Sequence, residues 1–463
     1  MSDMRVWAPG ASEVELHVDA ERRSMTRGER GWWAVEAPPG SRYGFSLDGG
    51  DVLPDPRSQW QPDGVRGLSA LVDHDAFTWR TANWRGREVL GSVIYELHLG
   101  TYTEGGTFDA AIPRLDHLVE LGIEFVELLP VAAFPGRHGW GYDGVFPYAV
   151  HAPYGGPDGL KRFVDACHER GLAVILDVVY NHLGPDGNVL PRFGPYFTDT
   201  YSTPWGSALN YSGPASDEVR RYVIDNALMW LRDYRVDALR LDAVHMMLDT
   251  SATHILEELA TEVSALAERV GRPLALVAES DLNDPRLIVA RDAGGYGLDT
   301  QWSDDFHHAL HSVVTGETSG YYEDFGSLRQ LATALTRGYV YAGEYSVHRD
   351  RVHGRALPAS VTGHRLVGFA QDHDQVGNRA AGERLSALVS PGLVKVAAAL
   401  VLTSPFTPML FMGEEWAAST PWQYFTDHED TELAEAVRTG RRGEFKAFGW
   451  RPEDVPDPQH PTT

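Results

Sequence analysis

Several features that would direct a protein to particular partners or compartments are missing from this sequence. The 463 residues include a single cysteine, Cys167, which excludes an intrachain disulfide and favours a reducing compartment. No run of about 18 apolar residues is present, so no membrane-spanning helix is expected. The first residues, MSDMRVWAPG, contain neither the basic nor the apolar stretch of a signal peptide. Together these absences predict a cytoplasmic protein.

Positive charge is also scarce. The chain has 40 Lys and Arg against 65 Asp and Glu, and this formal charge of −25 opposes binding to nucleic acid or anionic membranes. The expected partner is therefore neutral. Aromatic residues make up 11% of the chain, including 13 Trp and 19 Tyr. Most of them are expected in the core, but a surplus suits sugar binding, because a pyranose ring stacks its apolar face on an aromatic plane.

The first 85 residues predict a small β-sandwich. Short alternating runs at VELHV (14–18), WWAVEA (32–37) and YGFSLDG (43–49) are separated by glycine and proline, as in antiparallel strands. The pattern changes after a long loop rich in Pro, Asp and Gln. We therefore expect residues 1–85 to form the sandwich and residues 86–463 to form a second, catalytic domain.

From Gly91 onward, near-continuous apolar strands alternate with helical patterns. Strands are predicted at 92–100, 123–130, 172–180, 236–244, 273–280, 298–303, 365–372 and 407–415. Helices are predicted at 109–121, 158–170, 216–233, 250–270, 284–293, 325–337 and 386–402. Eight such strands favour an α/β fold of the TIM type, a parallel (β/α)8 barrel. A doubly wound sheet is the alternative, but it would need a glycine-rich phosphate turn after the first strand, and HLGTYTEGG matches poorly.

Acidic residues end four of the predicted strands. Asp177, Asp242 and Glu279 each close one strand, and Asp372 and Asp374 close another. Barrel active sites form at the carboxyl ends of the strands, so these side chains are expected on one rim. In the segment ALRLDAVH, Arg240 lies on the same strand face as Asp242, where its charge would favour the ionised aspartate.

Carboxylates that converge on a neutral substrate suit a retaining glycosidase, which uses one carboxylate as nucleophile and another as acid/base. Glu279 follows the apolar run LALVA, and burial would raise its pKa as an acid requires. A zinc or magnesium site is the competing chemistry. No HxH or HExxH spacing lies near these strands, and His307 and His311 of HHALH are better explained as a structural or substrate-facing pair. No metal or cofactor is expected.

Four segments carry a resemblance to a known family. DVVYNH (177–182), ALRLDAVH (238–245), VAES (277–280) and QDHDQVGN (371–378) resemble, in order and spacing, the four signature regions of the α-amylase superfamily of retaining glycoside hydrolases. The segment at 138–155 is similar to the loop that places a tyrosine over the cleaved sugar in that superfamily. Segments at 279–286, 301–311, 373–380 and 409–428 are similar to its trehalose-releasing hydrolases. The resemblance covers nearly the whole chain. It implies hydrolysis of the α-1,4 bond next to the terminal trehalose of maltooligosyltrehalose, an α-glucan substrate. A glycogen branching or debranching enzyme is one alternative, and a non-catalytic glucan-binding protein is another.

The resemblance also implies roles for individual residues. Asp242 would be the nucleophile, Glu279 the general acid/base, and Asp374 the residue that stabilises the transition state. The residues expected to line the substrate site at the cleaved sugar are Tyr142, Asp177, His182, Arg240, His245 and His373. The residues expected to recognise the trehalose end are Trp302, Asp304, Asp305 and Phe306.

The sequence departs from the family pattern in two ways. Asp372 stands where the family usually has Asn, so a second carboxylate lies two residues from Asp374 and is expected to raise one pKa or weaken sugar binding. Family members also continue with a last barrel helix and a C-terminal β-domain. The proline-rich end of this chain, FGWRPEDVPDPQHPTT, predicts no such helix, and we expect exposed apolar surface on an open helical layer.

Overall fold

The N-terminal region consists of short antiparallel strands. The computed structural model describes residues 2–37, 42–444, 451, 455–460 and 463. The first strands are β1 (Ser2–Trp7), β2 (Val14–Val18), β3 (Glu21–Ser24), β4 (Thr26–Arg27), β5 (Trp32–Ala37), β6 (Tyr43–Leu47) and β7 (Val52–Leu53). They form two sheets, in the orders β1–β5–β4 and β3–β2–β6–β7. Alternate residues of β2, namely Val14, Leu16 and Val18, are buried between them. The predicted sandwich is confirmed.

The remaining strands build a closed barrel with three hairpins. They are β8 (Ile94–Leu97), β9 (Phe125–Leu128), β10 (Ala132–Ala133), β11 (Phe146–Val150), β12 (Ala173–Val178), β13 (Phe197–Thr203), β14 (Gly206–Leu209), β15 (Ala238–Leu241), β16 (Ala275–Ala278), β17 (Thr300–Trp302), β18 (Glu344–Ser346), β19 (Arg351–His353), β20 (Leu366–Phe369) and β21 (Thr407–Phe411). The barrel order is β8–β9–β12–β15–β16–β17–β20–β21, all parallel, and β21 pairs with β8 to close it. All eight predicted barrel strands are confirmed.

Helices surround the barrel. They are α1 (Leu99–Tyr102), α2 (Phe108–Ala111), α3 (Leu115–Leu121), α4 (Gly156–Glu169), α5 (Leu190–Phe193), α6 (Ser216–Asp233), α7 (Ile255–Val270), α8 (Asp304–Thr315), α9 (Leu328–Arg337), α10 (His373–Gly377), α11 (Leu385–Leu388), α12 (Pro391–Thr403) and α13 (Thr431–Glu444). The helix predicted at 216–233 has the observed bounds of α6. Within the described part of the chain, none of the helices combines the length and apolar character that a membrane crossing requires.

One predicted helix is wrong, and an observed helix was not predicted. Residues 284–293 form only two 3₁₀ turns, Pro285–Leu287 and Arg291–Ala293, because the side chain of Asp284 caps the first turn and the chain folds back so that Tyr296 N–H donates to Arg286 O. Helix α13, which follows the eighth strand and precedes the proline-rich end, was not predicted. The proline-rich end lies partly outside the described residues. On α12, Leu393, Val396 and Leu402 are exposed.

The alternation of side chains along the barrel strands creates the site. Interior positions near the amino ends are apolar, and they pack as one cluster that includes Ile94, Phe125, Ile175, Ala238 and Val277. Two residues further along the same five strands, the interior positions are ionisable: Glu96, Glu127, Asp177, Arg240 and Glu279. The interior side chains of these strands therefore change from apolar to ionisable toward the carboxyl rim, where barrel active sites form. The intervening residues Leu239 and Leu241 belong to the core shared with the helices.

A buried charge cluster supports the amino end of the barrel. Asp237, just before β15, accepts hydrogen bonds from Arg272 (2.7 Å), His168 (2.9 Å) and the indole of Trp84 (2.8 Å). Burial alone would raise the pKa of Asp237, but the bond from His168 and the charge of Arg272 lower it below its ordinary value. This carboxylate therefore stabilises the fold at neutral pH, and its contribution is lost as pH falls through the lowered pKa.

We expect Asp237→Ala to lower the free energy of unfolding by roughly 3–5 kcal/mol, because Arg272 would be left buried without its counter-charge. Urea unfolding monitored by tryptophan fluorescence measures the change. The control is Asp116→Ala, whose ion pair with Arg170 is exposed and should contribute less than about 1 kcal/mol. Equal losses in the two variants would contradict the role assigned to Asp237.

Candidate active site

Arg240 contacts several of the carboxyl groups at the carboxyl rim. It is the register partner of Asp177 on the neighbouring parallel strand, so the ladder itself sets the two side chains together. Arg240 Nη1 donates to Asp177 Oδ2 at 2.8 Å and to Asp242 Oδ1 at 2.9 Å, and Nη2 lies 3.5 Å from Glu279 Oε2. One fully buried guanidinium thus contacts carboxylates from three strands. Its other neighbour is Trp302, whose ring centroid lies 4.4 Å from the guanidinium carbon.

The carboxylate of Asp242 is held through both of its oxygens. Arg240 donates to Oδ1, and the buried amide of Asn181 donates through Nδ2 to Oδ2 at 2.7 Å and to the backbone carbonyl of Asp242 at 2.8 Å. His182 Nδ1 donates to Asn181 Oδ1 at 2.5 Å and so fixes the orientation of the amide. The side chain of Asp242 keeps 11% of its surface exposed, enough to be reached from the rim.

Glu279 closes β16 beside Asp242. Its Oε2 accepts the backbone N–H of Ala243 at 2.5 Å, which becomes available because Ala243 has a left-handed backbone with φ of 40°. Burial raises the pKa of Glu279, and Asp242 and Asp374 raise it further, against the lowering effect of Arg240. The two neighbouring carboxyl groups therefore differ in what surrounds them: Asp242 receives two side-chain donors, and Glu279 is favoured as an acid.

A chain of hydrogen bonds joins Tyr142 to the opposite side of the barrel. The Tyr142 hydroxyl donates to Asp177 Oδ2 at 2.6 Å and lies 2.8 Å from His373 Nε2, while His373 Nδ1 donates to Glu96 Oε1 at 2.5 Å. Burial raises the pKa of Asp177 to about 7, with Arg240 opposing and Asp242 adding to the shift. Burial would lower the pKa of His373, but Glu96 and Asp374 raise it to about 10. His373 is therefore a cation at neutral pH.

Asp374 is the most exposed of the three expected catalytic residues, with 41% of its side chain accessible. Its Oδ2 lies 3.6 Å from His373 Nε2, and its Oδ1 accepts from Asn378 Nδ2 at 3.2 Å. The short helix α10 carries His373 and Asp374, and Asn378 is its C-cap. Asp374 is therefore accessible from the open side of the rim, while His373 and Asn378 contact its carboxylate from within the protein.

Asp372, the departure from the family pattern, is the N-cap of α10. It is buried and accepts the backbone N–H of Gln375 at 2.6 Å. Burial and the charge of Glu96 raise the pKa of Asp372 well above its ordinary value. Glu127, inside β9, has its pKa raised well above the ordinary value by burial and by Glu96. Burial therefore favours the neutral form of both carboxyl groups.

The remaining expected residues fall into two groups. His245 and Asp304 are half-buried and lie close enough to Glu279 to affect titration: His245 lowers the pKa of Glu279, and Glu279 adds to the burial that raises the pKa of Asp304 well above its ordinary value. The other three have little or no free surface. Trp302 is 2% exposed inside the barrel, and Phe306 is fully buried against Phe406, with ring centroids 5.1 Å apart.

Asp305 has a structural role in the connection that follows α8. Its Oδ2 accepts from Asn283 Nδ2 at 2.8 Å and from the backbone N–H groups of Val340 at 2.7 Å and Tyr341 at 3.0 Å. Asp305 Oδ2 therefore already accepts three hydrogen bonds from the protein, and Trp302 and Phe306 pack against protein side chains.

Asn181 and Glu96 were not among the residues expected at the site. Asn181 lies inside the segment DVVYNH, and Glu96 occupies an interior position two residues after Ile94 on β8. The period of two along a strand was therefore a usable signal for Glu96.

Within the described ranges, no three His, Cys, Asp or Glu side chains are grouped to hold a metal ion. His307 Nε2 lies 2.9 Å from the Tyr322 hydroxyl, and His311 Nε2 lies 2.7 Å from Glu317. The absence of a metal or cofactor requirement stays a prediction.

Comparison with known proteins decides the family. The sequence profile of the α-amylase catalytic domain matches residues 71–192. A malto-oligosyltrehalose trehalohydrolase from Arthrobacter ramosus is 59% identical over 465 residues, which cover 99% of this chain and 81% of that protein. The chain belongs to the malto-oligosyltrehalose trehalohydrolase family, within the α-amylase glycoside hydrolases. The resemblance read from the four segments is confirmed.

A second trehalohydrolase and a solved structure of the α-amylase type are also similar to this chain. A malto-oligosyltrehalose trehalohydrolase from Saccharolobus solfataricus is 44% identical over 443 residues, covering 95% of this chain and 78% of that protein. The 1.4 Å crystal structure of a Salmonella typhimurium protein assigned to the α-amylases superposes with a TM-score of 0.92 at 42% identity, covering 100% of this chain and 79% of that one. Neither the branching nor the debranching alternative is favoured by these relatives.

We expect Glu96→Gln to lower the pKa of His373 from about 10 toward the neutral range, because the paired carboxylate is removed. The interaction of protonated His373 with Glu96 stabilises the folded state. This stabilisation is fully present below pH 6.5 and is lost as pH rises through the folded-state pKa of about 10. NMR of ring-¹³C-labelled histidine follows the titration. Glu104→Gln, at an exposed position, is the control and should leave it unchanged. A titration of His373 that is the same with and without the Glu96 carboxylate would refute the pairing.

Proposed function

We propose that this chain hydrolyses the α-1,4-glucosidic bond next to the terminal trehalose of maltooligosyltrehalose and releases trehalose by a retaining double displacement. The observation that carries the proposal is the buried Arg240, which brings Asp242 and Glu279 together. It occurs in a chain that is 59% identical to a protein named for this reaction. The substrate is an α-glucan.

In the first step, Asp242 attacks the anomeric carbon of the glucose unit that precedes trehalose. The donors on its two oxygens, Arg240 and Asn181, orient the carboxylate and stabilise its charge until it reacts. Glu279 gives its proton to the glycosidic oxygen, and trehalose leaves with a new hydroxyl group. The product of this step is a glycosyl ester on Asp242.

In the second step, the Glu279 carboxylate takes a proton from water, and the resulting hydroxide attacks the same carbon and frees Asp242. The raised pKa of Glu279 suits both steps, because an acid/base must hold a proton in one and accept it in the other. Asp374, with its exposed carboxylate, would accept hydrogen bonds from hydroxyls of the distorted sugar ring in the transition state.

The other side chains would bind and orient the sugars. Tyr142 is hydrogen-bonded to both His182 and His373, and these three residues would contact the cleaved glucose. Asp177 would act through Arg240 and Tyr142. His245 and Asp304 interact with Glu279 and would lie on the side of the leaving trehalose. We leave Trp302, Asp305 and Phe306 out of the sugar-binding set, because their surfaces or oxygens are already taken by the protein.

The domain division at residue 85 and the cytoplasmic location also remain proposals. Packing joins the N-terminal sheets to the barrel: the Trp7 and Tyr196 rings lie 5.1 Å apart, and the Trp32 indole donates to Glu218 at 3.0 Å. An acidic chain with this rim supports an α-glucan partner, and neither nucleic acid nor a membrane surface is proposed.

Incubation with maltotriosyltrehalose tests the function directly. We expect free trehalose and maltotriose in equal amounts, and the maltotriose should appear first as its α-anomer, because two displacements retain configuration. Chromatography measures the products and rapid NMR the anomer. A β-anomer would contradict the double displacement, and a folded chain that releases no trehalose would refute the proposed function. New α-1,6 branches on amylose would instead indicate a branching enzyme.

We expect Glu279→Gln and Asp242→Asn each to reduce kcat for trehalose release by at least ~10³-fold, because each removes a group that reacts. Binding of the substrate, measured by calorimetry, should remain within about threefold for Glu279→Gln, since the amide keeps the shape of the acid. Glu120→Gln at an exposed position is the control. Retained turnover with lost binding would overturn the assignment of Glu279.

A further inference from the structure

We infer that Arg441, on α13, positions Asp374 through the side chain of Asn378. This inference rests on the proposed role of Asp374 in sugar binding. Arg441 Nη1 donates to Asn378 Oδ1 at 2.8 Å, and Asn378 Nδ2 donates to Asp374 Oδ1 at 3.2 Å. Two consecutive hydrogen bonds therefore link a helix outside the barrel to an exposed carboxylate of the rim.

The donor and acceptor ends of the Asn378 amide determine which end faces Arg441 and which faces Asp374. An asparagine side chain has one acceptor and one donor end, and a guanidinium can only donate. Arg441 therefore selects the orientation in which Oδ1 of Asn378 faces the guanidinium and Nδ2 faces Asp374. In the reverse orientation two oxygens would meet at Asp374, and two donors would meet at Arg441.

Asp242 is held by a similar relay. His182 donates to Asn181 Oδ1, and Asn181 Nδ2 donates to Asp242 Oδ2. In each case an asparagine amide is oriented by a donor on one side and presents its own donor to a carboxylate of the rim. In the relay to Asp242, the donor His182 is the chain neighbour of Asn181, whereas Arg441 lies 63 residues after Asn378.

The surroundings of Arg441 hold its guanidinium in place. Its second nitrogen donates to the backbone carbonyl of Gly377, the last residue of α10, and so satisfies one of the carbonyls that a helix end leaves open. Its guanidinium carbon lies 4.8 Å from the ring centroid of Tyr424, which packs edge-on against Trp140 at 5.1 Å. Trp140 in turn lies 5.5 Å from His373, at the start of α10.

A double-mutant cycle on trehalose release tests the inference. We expect Arg441→Ala to reduce kcat/KM by roughly tenfold, mainly through kcat, because Asp374 would act on the distorted ring of the transition state. Asn378→Ala should cause a similar loss. If Arg441 acts through Asn378, adding Arg441→Ala to Asn378→Ala should cost no more than about twofold further. Losses that multiply in the double variant would overturn the inference.

Two controls separate positioning from folding. Arg442→Ala changes the next, exposed residue of the same helix and should leave kcat/KM unchanged. Asn378→Asp keeps a partner for Arg441 but removes the donor to Asp374, so it should lose activity while the thermal unfolding midpoint stays within a few degrees. Full activity in Asn378→Asp would also overturn the inference.

The same cycle is measured as affinity for maltopentaose by calorimetry, which does not depend on turnover. If the unaltered chain releases no trehalose, the proposed function fails, and the calorimetric cycle alone then decides the inference. Coupled losses of affinity in Arg441→Ala and Asn378→Ala would support it. Unchanged affinity in both single variants, together with unchanged kcat/KM in a chain that does release trehalose, would refute it while leaving the proposed function intact.

Discussion

The contact of buried Arg240 with Asp177, Asp242 and Glu279 is the interaction on which the carboxyl rim depends. Removing a guanidinium from water is costly, and only several oriented carboxylates can offset that cost. Three neighbouring strands supply those carboxylates, so the charge also links β12, β15 and β16 at the end of the barrel where interior positions are ionisable. The ring of Trp302 completes the enclosure of the cation from the sixth strand.

The acidic groups of this rim differ in pKa because burial and neighbouring charges affect each of them differently. Arg240 and His373 are the cations in contact with it, and Glu96 and Asp374 raise the pKa of His373. For Asp372 and Glu127 burial has the larger effect: it raises the pKa of both groups well above their ordinary values, although the positive charge of His373 lowers them. Burial therefore favours the neutral form of several acidic groups, which lowers the repulsion within a cluster that would be unfavourable if fully ionised.

Sequence patterns were reliable where a local rule governs the structure. All eight barrel strands could be placed because each is short, apolar and bounded by turn residues, and the carboxylates could be assigned to one rim because parallel strands end together. Prediction failed where local patterns compete. In 284–293, a helical apolar spacing was overridden by the Asp284 cap and a return of the chain onto Arg286. In α13, two glycines and a strongly charged surface concealed a helix whose Arg441 contacts α10.

By itself, the sequence determined the order of strands and helices, the inward direction of Arg240 and Asp242, and the family, because these follow from alternation and from segments read along the chain. Only the tertiary structure decided which polar groups meet. Trp302 and Phe306 are aromatic residues beside a rim segment, yet both are buried, and Asp305 is consumed by backbone N–H groups from residues 340 and 341. Asn181, Glu96 and Asn378 gain their roles from partners on other elements. A one-dimensional pattern records which side chains are available, whereas hydrogen bonds and desolvation are settled by distances between residues far apart in the chain.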